Sequence, residues 1–238
     1  AILCYIVCFK LTSERVEVPA SNQKISASAI FKSIFTNKAL LGIIVAAIFV
    51  LLSQLTVMSL AGYVYPNVYG SAAAQSTASL LGTAVALVIC APLASKLAAR
   101  FGKKELAVVS CTFSALVYVV CFIWRPQIVW GYVACYILAN IGMGFFNTII
   151  WAMITDVIDD AEVRNGVRED GTIYSVYSFA RKLGQAFSSG LVGALLGIIG
   201  YSEATAFDPA VTRGIFNMAC IAPIIGFVAI VLALAFLY

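Results

Sequence analysis

Arg181 and Lys182 stand side by side in "YSFARKLGQAFSSG" (177–190), a stretch otherwise apolar or small, and no further charge follows before Tyr201. A cation at the centre of a membrane span costs about 2.5–3.5 kcal/mol on insertion scales, which a passive anchor has no reason to carry. Counted from an entry near Ile173, Lys182 lies roughly 13 Å in, and snorkelling recovers only part of that depth. Ser175, Ser178, Lys182, Gln185 and Ser189 fall at steps of three and four and share one helix face, with Tyr174, Tyr177, Arg181 and Ser188 on the adjacent one. Such a face looks at water, at a partner or at a solute. Its chemistry is recognition by charge and hydrogen bonding.

A second cluster, "TDVIDDAEVRNGVREDG" (155–171), concentrates both signs of charge. Asp156, Asp159 and Asp160 share a helical face, followed by Glu162, Arg164 and Arg168. A solvated charged turn is the plain reading. The sharper one is a cytoplasmic gate of salt bridges that close one mouth of a carrier and break in another state. Clustered aspartates can also hold Mg²⁺ and a diphosphate, as in an Mg-dependent intramembrane prenyl transferase. That chemistry needs a second acidic cluster facing the first, and Glu203 and Asp208 fall at the opposite side of the membrane. The chain has no histidine, so Ser–His and histidine-based metalloprotease arrangements are excluded. Cys4, Cys8, Cys90, Cys111, Cys121, Cys135 and Cys220 are scattered without a CxxC and read as small apolar packing residues. No catalytic residue, metal ligand set or organic cofactor is expected.

These clusters need apolar helices to position them. The chain is 62% hydrophobic and 11% charged, with mean hydropathy +0.99, where a soluble domain carries about 25% charged residues. It reads as an all-α integral membrane protein, since lipid admits only helices or closed barrels and no alternating barrel segments appear. A net charge of +4 gives no basis for nucleic-acid binding. Six spans are expected near 39–65, 73–97, 106–124, 128–155, 173–200 and 215–236, separated by turn signals such as "YPNVYG" and "RFGKKE". The fourth carries Asn140, Gly144, Asn147, Trp151 and Thr155 on one face; the second has Ser76, Ser79 and Thr83, and the first Gln54. The third and sixth read as lipid-facing supports. Residues 1–9, "AILCYIVCF", are too short to span and predict the end of a helix in a longer chain. Residues 10–37 predict a polar loop with a short amphipathic helix bearing Ile30, Phe31, Ile34 and Phe35.

Loop charge sets the orientation. Lys10, Arg15, Lys24, Lys32, Lys38, Lys96, Arg100, Lys103, Lys104, Arg164 and Arg168 fall on one side, against Arg125 and Arg213 on the other. The loops 10–37 and 156–171 and the C-terminus are therefore expected in the cytoplasm, the protein sitting in the inner (cytoplasmic) membrane.

"DVIDDAEVRNGVREDGTIYSVYSFARKLGQAF" (156–187) resembles the segment between helices ten and eleven of the glycoside–pentoside–hexuronide:cation symporters, the melibiose-permease-like branch of the major facilitator superfamily. The family pattern there is D-x-x-D-Y-G-E-x-x-x-G-x-R-x-E-G, then K-x-G about ten residues later. Asp156, Asp159, Glu162, Gly166, Arg168, Asp170, Gly171, Lys182 and Gly184 match it or stand close to it. Asp160 departs from the usual Tyr, Ala161 from Gly, and Asp170 from Glu. "ARFGKKEL" resembles the superfamily's basic cytoplasmic turn, with Ala99 where many members carry Asp.

The resemblance implies the C-terminal six-helix half of a major-facilitator fold. Residues 1–9 would end helix six, 10–37 would be the central loop, and 38–238 the bundle. It implies sugar:cation symport by alternating access around a cavity shared with the N-terminal half. By position, Lys182 would sit at the sugar and help couple it to the cation. Tyr177 and Ser178 would line the pocket with Arg181 beside them. Asn147 stands where a pocket aromatic occurs in the melibiose permease, and Trp151 could supply a stacking surface. The residues binding Na⁺ or H⁺ would belong to the N-terminal half. Rival readings are a major-facilitator carrier of a non-sugar solute, a non-transporting sensor, and the transferase above.

Overall fold

A chain this apolar must satisfy its backbone N–H and C=O groups within each segment. The computed structural model, which describes residues 2–12, 37–165 and 170–238, does so almost wholly with helices. They are α1 (Ile2–Leu11), α2 (Lys38–Tyr63), α3 (Ala72–Val85), α4 (Ala91–Phe101), α5 (Lys103–Trp124), α6 (Val129–Asn165), α7 (Asp170–Ile198) and α8 (Pro209–Phe236). The side chain of Asn37 opens α2 by accepting the Leu40 N–H at 3.1 Å. α8 opens with Pro209, whose missing N–H costs nothing at a first turn. Gly102 turns the chain between α4 and α5 at φ 97°, where any other L-residue would be strained.

α3 and α4 form one rod joined by a π-helical turn, Ala86–Cys90, closed by the Ala91 N–H on the Ala86 carbonyl. The widened turn comes just before Pro92, which has no N–H to give the ladder. A second such turn, Val64–Val68, holds Pro66 and extends α2.

Several boundaries differ from expectation. The fourth span is expected to end near Thr155, but α6 continues to Asn165. No glycine or proline occurs between Thr155 and Asn165, and Ala161 and Glu162 are good helix formers. Asp156, Asp159, Asp160 and Glu162 are therefore helical. Five helical stretches are long and apolar enough to cross a membrane: Lys38–Val68, Ala72–Phe101, Lys103–Trp124, Val129–Val163 and Pro209–Phe236. α7, at 29 residues, is long enough but is not among them. Most of residues 10–37, where the amphipathic helix is expected, lies outside the described residues.

What holds α7 is contact with α2, to which it runs parallel. Gly184 lies against Ile48, where an added Cβ would come 2.5 Å from the Ile48 carbonyl oxygen. Further along the same pair, the Thr56 and Ser188 hydroxyls share a buried hydrogen bond of 3.1 Å. Two glycines allow similar closeness elsewhere: Gly142 of α6 meets the Ser110 carbonyl of α5, and Gly226 of α8 meets Ser53 of α2. Small residues at crossings are how membrane helices gain van der Waals contact when lipid is as apolar as the interface. α2 sits between α7 and α8, α5 joins α8 to α6, and α6 carries the α3–α4 rod. α2 is the most buried span and α3–α4 the least.

Candidate functional site

Tyr177, Ala180, Gly184 and Ser188 are the buried face of α7 and set its rotation against α2. With that phase fixed, Arg181 comes to the edge of the contact and reaches α6. Its guanidinium carbon lies 5.3 Å from the Trp151 ring and 5.8 Å from the Tyr177 ring. Trp151 meets Tyr177 edge-on at 5.7 Å and stacks on Tyr174 at 6.2 Å with 24° between planes. Tyr177 is buried, whereas Trp151 and Tyr174 keep 44% and 41% of their surface open. The corner therefore offers aromatic faces beside a positive charge.

That corner opens onto a cavity of about 220 Å³ whose other walls are Val50, Gln54, Asn147 and Ile150. Among the described residues Arg181 is the one charged residue lining it. Arg181 sits about 16 Å from the start of α7 at 1.5 Å per residue. Neither Gln54 nor Asn147 makes a side-chain hydrogen bond among the described residues. Both amides are thus open to a ligand's hydroxyls. Gln54 and Asn147 also border a larger cavity of about 320 Å³, with Ser79, Thr83, Asn140 and Gly144 among its walls. The polar residues noted on three separate spans converge there.

Four of the expected site residues, Asn147, Trp151, Tyr177 and Arg181, are brought together. Lys182 and Ser178 line neither cavity. They lie on the exposed face of α7 with Ser175 and Ser189. Between the paired cations, Arg181 holds the cavity position that the sequence reading assigned to Lys182. Gln54 was visible as an amide in the middle of an apolar span, but nothing local tied it to α7. Tyr174 was legible only as part of the adjacent face.

At the end of the bundle where Lys103 opens α5, its Nζ lies 2.6 and 2.8 Å from the two carboxylate oxygens of Asp156 and 3.5 Å from the Ala152 carbonyl. Asp156 thus pairs with the basic turn between α4 and α5, a partner the sequence reading of the gate did not name. Both side chains are about 40% exposed (39% and 43%), so the pair contributes up to about 1 kcal/mol. Asp159 and Glu162 continue along the last turns of α6. Arg168 and the side chain of Arg164, the basic members of the expected gate, lie outside the described residues. Tyr238, two residues beyond α8, is pushed up to about 12, first by burial and then by the negative charges of Asp156 and Asp160. The end of the chain therefore closes onto the same acidic turns, with Leu237 against Gly42 of α2.

A family model described as MFS/sugar transport protein matches residues 1–238. An uncharacterized symporter of Bacillus subtilis (strain 168) is 29% identical over 242 residues, covering 100% of this chain and 51% of the relative. A glucuronide carrier protein homolog of Escherichia coli (strain K12) is 28% identical over 240 residues, covering 100% and 51%. A Salmonella typhimurium (strain LT2) protein provisionally named a sulfoquinovose importer is 29% identical over 198 residues, covering 82% and 41%. The chain spans about half the length of the curated relatives it matches.

Proposed function

The chain belongs to the MFS/sugar transport protein family, and from that premise we propose that it forms the C-terminal half of a cation-coupled symporter for a sugar bearing an anionic group. The family is one of transporters, which removes the prenyl transferase reading. The observation that carries the proposal is the Arg181 guanidinium set over Trp151 and Tyr177 at the mouth of a mid-bundle cavity. A pyranose has apolar C–H faces that lie on aromatic rings and hydroxyls that need amide partners. Trp151 and Tyr177 supply the first, Gln54 and Asn147 the second. A guanidinium with no acid lining its cavity calls for a carboxylate or sulfonate, which it binds in a planar fork. The names of two relatives agree in kind, since a glucuronide carries a carboxylate and sulfoquinovose a sulfonate.

Lys182 sits with Ser178, Ser175 and Ser189 on a polar stripe of α7; the Ser175 and Ser189 hydroxyls donate to carbonyls of their own helix, but lipid would not accept the Lys182 charge. We assign this stripe to the surface that meets the N-terminal half, with Lys182 coupling the sugar to the Na⁺ or H⁺ held there. The two halves rock about the sugar, opening it alternately to each side. We assign the Lys103–Asp156 pair and the acidic turns of α6 to the cytoplasmic mouth, because loop charge supports a cytoplasmic position for the basic loops and the C-terminus.

The test is uptake by the full-length protein in proteoliposomes. A glucuronide should enter when a Na⁺ or proton gradient is imposed, and Trp151→Ala should weaken its apparent affinity by about tenfold or more. Failure of every sugar tried to exchange, while another solute class does, would hand the fold to the non-sugar reading.

A further inference from the structure

We propose that the pocket at the opposite end of the bundle, between the α5–α6 turn and the start of α8, binds the phosphate of a phospholipid headgroup. It is a cavity of about 280 Å³ bordered by Tyr69, Arg125, Gln127, Thr212, Arg213 and Phe216. Arg125 and Arg213 are the two cations that loop charge sets apart from the basic side, and the fold brings both to one concavity.

The walls are fixed by bonds that leave the positive charge uncancelled. α5 ends on Arg125 in the left-handed region, φ 48°. Its guanidinium donates to the Asn217 side-chain oxygen at 3.1 Å and lies 5.5 Å from the Phe122 ring. Both are neutral groups. The Tyr69 hydroxyl donates to the Pro126 carbonyl at 3.0 Å and ties the turn to the end of α2. Neither Arg125 nor Arg213 has an acidic partner among the described residues. Arg213, in the first turns of α8, also stands where the helix dipole adds positive potential. Two guanidiniums with no acidic counter-charge among the described residues, beside the Gln127 amide, which keeps one N–H beyond its bond to the Arg125 carbonyl, make a site for a tetrahedral oxyanion.

The surroundings point to a lipid as its source. Ile123, Trp124, Ile128 and Trp130 flank the turn and are 74%, 61%, 68% and 57% exposed. Tryptophans beside bare aliphatic side chains at a helix end mark the level of the headgroups, where acyl chains run along the outside of the bundle. A phosphodiester with its chains lying on this collar satisfies both the charge and the apolar surface. A free phosphate would use only the first. The pocket lies on the α5–α8 side, away from the α3 and α7 polar faces assigned to the solute path, so it stands or falls independently of them.

The experiment is native mass spectrometry of the full-length protein purified in mild detergent, with phosphatidylglycerol titrated in. The wild-type protein should hold one more phospholipid than Arg125→Gln/Arg213→Gln, whose binding should weaken by about tenfold or more. Arg213→Gln alone, which breaks no hydrogen bond within the described residues, keeps the test valid if the double variant fails to fold. Millimolar inorganic phosphate should leave the lipid in place. Equal lipid retention by wild type and Arg213→Gln overturns the proposal, as does complete displacement of the lipid by inorganic phosphate.

Discussion

Replacing Arg181 with glutamine keeps a polar side chain of similar reach and removes the charge from the cavity. In the structure that charge faces Trp151 and Tyr177 and meets no acid across the 220 Å³ space. A sugar acid should lose a charge-assisted hydrogen bond, worth about 1.5–3 kcal/mol. At 1.4 kcal/mol per decade this weakens apparent affinity roughly 10- to 150-fold. The guanidinium's contact with the two rings, about 0.5–2 kcal/mol, is lost whichever substrate is bound. It therefore leaves the ratio between substrates unchanged. A neutral glycoside of the same ring should accordingly shift little. The assay is counterflow in proteoliposomes with the full-length protein, comparing KM for a glucuronide and for the matching neutral glucoside. Lys182→Gln serves as the parallel variant, because Lys182 lines neither cavity. It should lower gradient-driven uptake while leaving the acid-to-neutral ratio near that of the wild type. An equal loss for both sugars in Arg181→Gln, or a collapse of the ratio in Lys182→Gln alone, refutes the reasoning.

Gly184→Ala places a methyl carbon 2.5 Å from the Ile48 carbonyl oxygen, forcing α7 off α2 at a cost of about 1–3 kcal/mol; an unchanged melting temperature in detergent would count against the close approach. For Lys103 and Asp156, both about 40% exposed (39% and 43%), a double-mutant cycle on unfolding should give a coupling of about 0.2–1 kcal/mol. A coupling several times larger would mean the pair is dry. Tyr238, raised to about 12, favours the folded state fully below its unfolded value near 10 and loses that contribution as pH rises through about 12. The wild-type protein should thus lose stability across that window, and Tyr238→Phe should lose less; identical alkaline melting of the two would contradict the burial of the phenol.

How much of this could be read from the chain depends on the range of the information needed. The polar faces of α7, α6 and α3 were legible because a 3.6-residue period is local. Which of two adjacent cations enters the cavity was not, because consecutive helix residues differ by about 100° and only a tertiary contact fixes the zero. Gly184 against Ile48 fixes it. Measured from the buried Tyr177, Arg181 is turned by about 40° and Lys182 by about 140°, so one reaches Trp151 and the other does not. The partner of Asp156 was hidden for the same reason: Lys103 lies 53 positions away, and nothing in the acidic run names it. The charged run 156–165 reads as a turn by composition, yet no glycine or proline occurs between Thr155 and Gly166, so the helix continues through it.

The same geometry bears on why the two rods beside the solute path look as they do. α7 is gripped chiefly by α2, and α3–α4 chiefly by α6, so each leaves most of its circumference uncovered by this chain. Were those faces meant for lipid, they would resemble α8, whose exposed positions include Ile225, Val228 and Leu232. They expose apolar residues too, Phe179 and Phe187 on one rod and Leu80, Leu87 and Val88 on the other, but beside these lie Ser175, Ser178, Lys182 and Ser189 on the first and Ser76, Ser79 and Thr83 on the second. Lipid cannot satisfy the Lys182 ammonium, and Ser79 and Thr83 border the 320 Å³ cavity that shares Gln54 and Asn147 with the one holding Arg181. On the proposed reading, a second protein surface that closes over a polar solute and parts from it again would account for both the polar residues on the rods and their loose hold on the rest of the bundle.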